Sequence, residues 1–130
     1  MPSPQHLNPN TMPPSRGYTQ VVKTGNTVYI AGQVSVAPDG TVVGKGDPEA
    51  QVRQVWRNIE AAVKAAGGGG LQNVVKTTTY VTSIDYAGAV RKTREELFRT
   101  ITPPTSTLLV VSALASPDFV VEIEAMAVVD

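Results

Sequence analysis

The chain contains no cysteine and only one histidine, and its charges balance: eleven Lys plus Arg stand against eleven Asp plus Glu in 130 residues. Without cysteine there is no disulfide, no thiol nucleophile and no thiolate metal site. The one histidine, His6, lies in a Pro/Asn/Ser-rich leading segment, so neither a Ser-His-Asp triad nor a histidine-based metal site can be assembled. The neutral balance lacks the basic footprint of a dedicated nucleic-acid binder, and with aromatics at 5% there is no stacking platform for bases. No stretch approaches the ~18 consecutive apolar residues of a membrane span. Residues 1–15 show none of the apolar core of a signal peptide. These absences set the expectation of a cytoplasmic protein with no membrane or nucleic-acid partner and no metal.

What is present fits one domain with a real core, since 42% of the residues are apolar. Residues 1–16 read as an irregular arm, because Pro2, Pro4, Pro13 and Pro14 remove donors and fix φ. Residues 17–130 read as the folded domain. Two β-rich runs, Tyr18 to Lys23 and Thr27 to Ala31, flank Gly25-Asn26, a hairpin-turn signal. Asp47 can cap a helix with Pro48 in its first position and Glu49 at the positive end of its dipole. Val52, Val55, Ile59, Ala62 or Val63, and Ala66 form its apolar stripe, and Gly67 ends it. The run Gly67 to Gly70 follows a helix and lacks a Lys-Ser/Thr, so it reads as a loop and not as a phosphate cradle. Asn73 to Thr82 predicts a strand, residues 84–100 a second helix, and Thr107 to Val111 and Phe119 to Val129 two more strands. The order is that of an α+β domain with two helices on one face of a mixed sheet.

The last strand is the most informative. Phe119, Val121, Ile123, Ala125, Ala127 and Val129 alternate onto one side, and Glu122, Glu124, Met126 and Val128 onto the other. Two helices cover only one face of such a sheet, so the second set faces either solvent or another subunit, and a homo-oligomer is expected. A carboxylate at the edge of such an interface has its pKa raised by desolvation, which suits acid/base chemistry. Glu122 and Glu124 can equally be structural or solvent-facing residues.

Several stretches resemble the RidA family, also called the YjgF or reactive-intermediate-deaminase family. They are Gly17-Tyr18, the segment Val28 to Gln33, Asn73 to Thr78 followed by Val81, and the C-terminal run from Pro104-Thr105 through Thr107, Leu109, Ser112 and Leu114 to Val121-Glu122-Ile123-Glu124. The resemblance implies a chorismate-mutase-like α+β domain forming a homotrimer, with small-molecule clefts between subunits. It implies hydrolysis of reactive enamine or imine metabolites to 2-oxo acids and ammonia, with no metal or organic cofactor. By the same resemblance Glu122 corresponds to the residue that places or activates water, and Tyr18 and the Gly32 backbone line the cleft.

One departure stands out. The family's arginine, which grips the substrate carboxylate, aligns with Ser106, or with Thr105 if the alignment shifts by one, and neither is basic. Arg91, on the second helix, aligns with a polar position near the cleft and is either a relocated cation or a solvated helix-face residue beside Lys92 and Arg94. Two functions therefore remain open: an imine deaminase of altered specificity, and a non-catalytic trimer that binds or senses a small metabolite. Some relatives carry ribonuclease labels, but the neutral charge and the absence of a catalytic histidine speak against nucleic-acid processing.

Overall fold

The computed structural model describes residues 3–130 as one sheet of six strands with two helices packed on it. In chain order the elements are β1 (Gln5–Leu7), β2 (Val21–Thr24), β3 (Thr27–Gln33), α1 (Pro48–Ala65), β4 (Val74–Val81), α2 (Ala87–Leu97), β5 (Thr105–Val110) and β6 (Val121–Val128), with short 3-10 turns at Leu71–Asn73 and Ile84–Tyr86. The sheet runs β1-β2-β3-β6-β4-β5. β4 and β5 are parallel, and every other neighbouring pair is antiparallel.

This order follows from connection chemistry. The turn at Gly25-Asn26, with Gly25 at φ 58°, closes a tight β2–β3 hairpin. β3–α1–β4 and β4–α2–β5 are crossovers between parallel strands that step across the sheet in the same direction. Right-handed crossovers of that kind put both helices on the same face. β6 then slots between β3 and β4, antiparallel to both, and its alternation divides the two faces as the sequence predicts. Val121, Ile123, Ala125, Ala127 and Val129 are buried under the helices. They meet Val28 and Ile30 of β3, Val81 of β4, and Val52, Val55, Ile59 and Val63 of α1. Trp56 meets Phe98 edge-on, with ring centroids 5.2 Å apart.

The start of α1 is built as its sequence indicates. The Asp47 side chain accepts a hydrogen bond from the Ala50 N–H at 3.1 Å, with Pro48 in the first turn. Asp47→Ala should lower stability by about 1 kcal/mol, read as a shift in the urea midpoint at unchanged slope. Gly67 leaves the helix at φ 95°, as a left-handed exit requires.

Several boundaries differ from the sequence reading: β2 starts at Val21 and not Tyr18, β3 runs on through Gly32 to Gln33, and β6 starts at Val121 and not Phe119. Three more have a physical account. The first concerns the arm: Gln5–Leu7 forms an edge strand, paired Gln5 to Lys23, His6 to Val22 and Leu7 to Val21. An edge strand tolerates nearby prolines because only one side of its backbone is bonded. Met12 is buried in the core, and the Gln20 side chain donates to the Pro13 carbonyl at 3.1 Å, so the arm belongs to the domain. Pro2 lies outside the described residues. The second concerns residues 84–100, which split into a 3-10 turn and α2; Ser83 Oγ accepts from the Asp85 N–H at 3.2 Å. The third concerns β5, which begins at Thr105, two residues before the expected start.

Candidate functional site

Cross-strand register sorts the chemistry-bearing residues by face. Residues opposite one another in a ladder share a face, and the face alternates along each strand. Tyr80 lies opposite Glu122 and Leu109, Thr78 opposite Glu124 and Thr107, and Lys76 opposite Met126 and Thr105. Tyr29 lies opposite Met126 from the other side. Together these make up the face that the helices leave open. The intervening residues Thr77, Thr79 and Val81 are buried on the helix side.

Space sets the position of Glu122: among the described residues no hydrogen bond reaches its carboxylate. The β3–β6 ladder shifts register between Ile30 and Gln33, and Gly32 sits in that irregularity. A Cβ on Gly32 would lie 2.1 Å from Glu122 Oε2, so a side chain there would displace the carboxylate. The glycine is needed for this close approach and not for an unusual φ. Beneath the bulge the buried Gln33 side chain donates to Gln20 Oε1 at 2.7 Å and to the Ala31 carbonyl at 2.9 Å, which fixes the backbone on either side. Half-buried, Glu122 has its pKa raised above the ordinary carboxylate value, first by desolvation and then by the neighbouring Glu124 charge. Glu124 accepts a hydrogen bond from the Tyr80 hydroxyl at 2.8 Å, and this bond is the main cause of the raised Tyr80 pKa.

The raised pKa has a consequence for stability. Between the unfolded value near 4.5 and the higher folded value, the folded state binds more proton than the unfolded one, so stability falls as pH rises through that window. Glu122→Gln removes this loss. Relative to wild type, the variant should be more stable at pH 7 than it is at pH 4, as measured by paired urea titrations.

The structure places the expected site residues unequally. Glu122 and Gly32 are brought together. Tyr18 is exposed in the loop before β2, one residue ahead of Thr19, which lines a depression on the open face. Arg91 is exposed on α2, in the layer on the other side of the sheet from Glu122. Ser106 lies opposite Thr77, so it faces the helices, and its Oγ accepts a hydrogen bond from Arg94 Nη1 at 2.8 Å. Ser106 and Glu122 therefore point to opposite sides of the sheet, and the chain does not bring them together. Thr105, the position reached by the one-residue shift, faces the open side with Glu122. The cation that α2 sends toward β5 is Arg94 and not Arg91.

Sequence reasoning did not single out Lys76 and Tyr80. Both line up on the open face only through pairing with β6, whose residues are distant in the chain. Their strand's alternation, with Thr77, Thr79 and Val81 inward, was the available signal.

A two-layer α+β domain with a shielded carboxylate beside a glycine bulge on its open sheet face belongs to a class with many known relatives. Residues 9–129 match the family model described as Endoribonuclease L-PSP. The chain is 36% identical to a RutC family protein of Pyrococcus horikoshii over 118 residues, covering 91% of each chain. It is also 36% identical to the 2-iminobutanoate/2-iminopropanoate deaminase of Salmonella typhimurium over 113 residues, 85% of this chain and 86% of that one. Among solved structures, a Rid-family protein of Yersinia pestis superimposes with a TM-score of 0.91 at 32% identity, covering 98% of this chain and all of that one. The chain belongs to the RidA/YjgF family.

Proposed function

We propose that this protein hydrolyses reactive enamine or imine metabolites, with Glu122 as its acid/base residue. The observation that carries this reading is the position of Glu122: a partly desolvated carboxylate, raised in pKa, against a glycine that leaves it room. The imine deaminases among its relatives supply the reaction class. In that chemistry Glu122 takes a proton from water as the water oxygen bonds to the imine carbon, and the C=N π pair moves to nitrogen. From the iminium form of the substrate, reached from an enamine by protonation at carbon, this gives a neutral carbinolamine. Glu122 returns the proton to its nitrogen and then takes the O–H proton as the oxygen pair forms C=O and the C–N bond breaks, so that a carbonyl compound and ammonia leave.

The open face carries exposed Tyr29, Leu109 and Val128, which supports covering of this face by further copies of the chain, in the family's case as a trimer. In such an assembly the cleft at Glu122 is completed by a neighbour's β5 edge. Thr105 is the β5 residue that faces the side on which the family arginine is needed, so the lost carboxylate grip is assigned to Thr105 and not to Ser106. Substrates with a weaker demand for a carboxylate partner fit this site best.

Purified protein is incubated with freshly generated 2-aminoacrylate and with cyclic imines that lack a carboxylate, and loss of the imine absorbance is followed. Acceleration, largest for the uncharged imines, is the expected result. No acceleration over buffer across the panel would overturn the enzyme reading. The second reading, a non-catalytic metabolite binder, rests on the missing arginine. It is the one left standing if ligands raise the melting temperature without turnover.

A further inference from the structure

Building on the reading of Glu122 as the acid/base residue, we propose that Gln33 and Asn8 are positioning residues for its carboxylate. Together they divert the last bond of the β2–β3 ladder and hold the Ala31–Gly32 peptide out of it.

The hairpin register says what that bond would be. Bonded and non-bonded pairs alternate in an antiparallel ladder, and a two-residue turn is closed by a bonded pair. Thr24–Thr27 and Val22–Tyr29 are then bonded pairs, and the same register makes Gln20–Ala31 the next. Only half of that exchange is made: the Ala31 N–H donates to the Gln20 carbonyl at 2.9 Å. A side chain replaces the return bond at each end. The Gln20 N–H donates to Asn8 Oδ1 at 2.9 Å, and the Ala31 carbonyl accepts from Gln33 Nε2 at 2.9 Å.

Both amides are themselves tied down. Gln33 and Gln20 are buried; Gln33 Nε2 also donates to Gln20 Oε1 at 2.7 Å, and Gln20 Nε2 donates to the Pro13 carbonyl at 3.1 Å. Asn8 Oδ1 also accepts from Ser15 Oγ at 3.0 Å, so the arm before β2 is fastened at the same point.

The effect is felt at the next residue. The peptide is trans and planar, so with the Ala31 carbonyl held by the buried amide the Gly32 N–H points away from that amide. β3 places two residues, Ala31 and Gly32, where β6 has only Glu124 between Ala125 and Ile123. This is the bulge in which Gly32 meets the Glu122 carboxylate. With the return bond formed, the peptide would lie back in the ladder and the wall against Glu122 would move. A misplacement of about 1 Å near a reacting group lowers the rate by roughly 10²-fold.

Three variants and one control test this. Gln33→Met keeps the side-chain length and removes the donor. Asn8→Ala frees the Gln20 N–H to make the return bond, and Asn8→Asp keeps an oxygen acceptor for both partners. For imine hydrolysis kcat should fall by about 10- to 100-fold in Gln33→Met and several-fold in Asn8→Ala, with KM changed far less, and Asn8→Asp should match wild type. Asp47→Ala, which loses stability at the start of α1, should keep wild-type kcat below its melting temperature.

A second readout needs no turnover. Carboxyl-carbon NMR follows the titration of Glu122, assigned with Glu122→Gln. The titratable groups on the strands around it are Glu124 on β6 and Tyr80 on β4, with Lys76 and Tyr29 further along beside Met126, and none is altered. As water reaches the carboxyl, its midpoint should drop toward the ordinary carboxylate value in Gln33→Met and Asn8→Ala, and hold in Asn8→Asp. An unmoved midpoint in Gln33→Met and Asn8→Ala makes both amides structural props and overturns the proposal, whatever their melting temperatures. If Gln33→Met does not fold, the two Asn8 variants decide it. A moved midpoint without imine turnover in the wild type counts against the proposed function and leaves this hold on Glu122 standing.

Discussion

Glu122→Gln should lower kcat for imine hydrolysis by roughly 10²- to 10⁴-fold, the range of a lost general acid/base, while leaving the fold intact. Glutamine keeps the shape that fits against Gly32, so the steric match at 2.1 Å from the absent Cβ is retained. What disappears is the carboxylate that the proposed mechanism uses to accept and return a proton. The expected signature is a fall in kcat, with KM changed far less, because an interaction made only in the transition state has been removed. The pH profile adds a second readout. In wild type the rising limb of activity should lie above the ordinary carboxylate range, because burial and the Glu124 charge both disfavour ionisation of Glu122. In Glu122→Gln that limb should vanish. Imine turnover followed from pH 4 to 9 for both proteins checks both points, and a variant with wild-type kcat would remove Glu122 from the mechanism.

How far this site could be read in advance depends on how local its determinants are. The period-2 alternation of β6 is local, so the split between Val121, Ile123, Ala125 and Ala127 on one face and Glu122 and Glu124 on the other is written in consecutive residues. The α1 stripe and its Asp47 cap are local too. β1 is different. Gln5 and His6 are exposed, Leu7 alone packs against the core, and the pairing with β2 is through backbone groups, so a three-residue stretch with one apolar side chain does not distinguish the strand from a loop. α1 also hides buried polar residues that periodicity assigns to solvent. Gln51 donates to the Asp118 carbonyl at 2.8 Å and accepts from the Val120 N–H at 3.0 Å, so it anchors the entry to β6 across a long stretch of chain. Such residues are legible only once the loop they satisfy has been placed.

The same reasoning explains the uncertainty between Ser106 and Thr105. β5 is an exposed edge strand with almost no burial alternation, so its own residues do not say which of two neighbours faces the site. The answer comes from its parallel pairing with β4, where Lys76 is opposite Thr105 and Thr77 is opposite Ser106. Because Thr77 is buried on the helix side, its partner Ser106 must share that side, and the contact with Arg94 on α2 agrees. A one-residue shift in a strand exchanges the two faces. Here it moves a proposed substrate contact from one side of the sheet to the other.

That register yields a discriminating pair of substitutions. Thr105→Arg should raise kcat/KM for 2-imino acids by about 10- to 100-fold, because a guanidinium on the open face can grip the substrate carboxylate through charge-assisted hydrogen bonds worth roughly 1.5–3 kcal/mol. For imines without a carboxylate the gain should be absent, which separates recognition from a general improvement of the catalyst. Ser106→Arg should give no gain with either substrate class. It sends its guanidinium toward α2, where it replaces the hydroxyl that Arg94 now holds at 2.8 Å and meets that arginine as a like charge. It should also lower the melting temperature, which Thr105→Arg on the exposed edge should not. Turnover of 2-iminobutanoate and of a cyclic imine lacking a carboxylate, measured for both variants beside the wild type, decides the matter. If Ser106→Arg gained activity while Thr105→Arg did not, β5 would have to present the opposite face to the site, and the register drawn from Thr77 would be wrong.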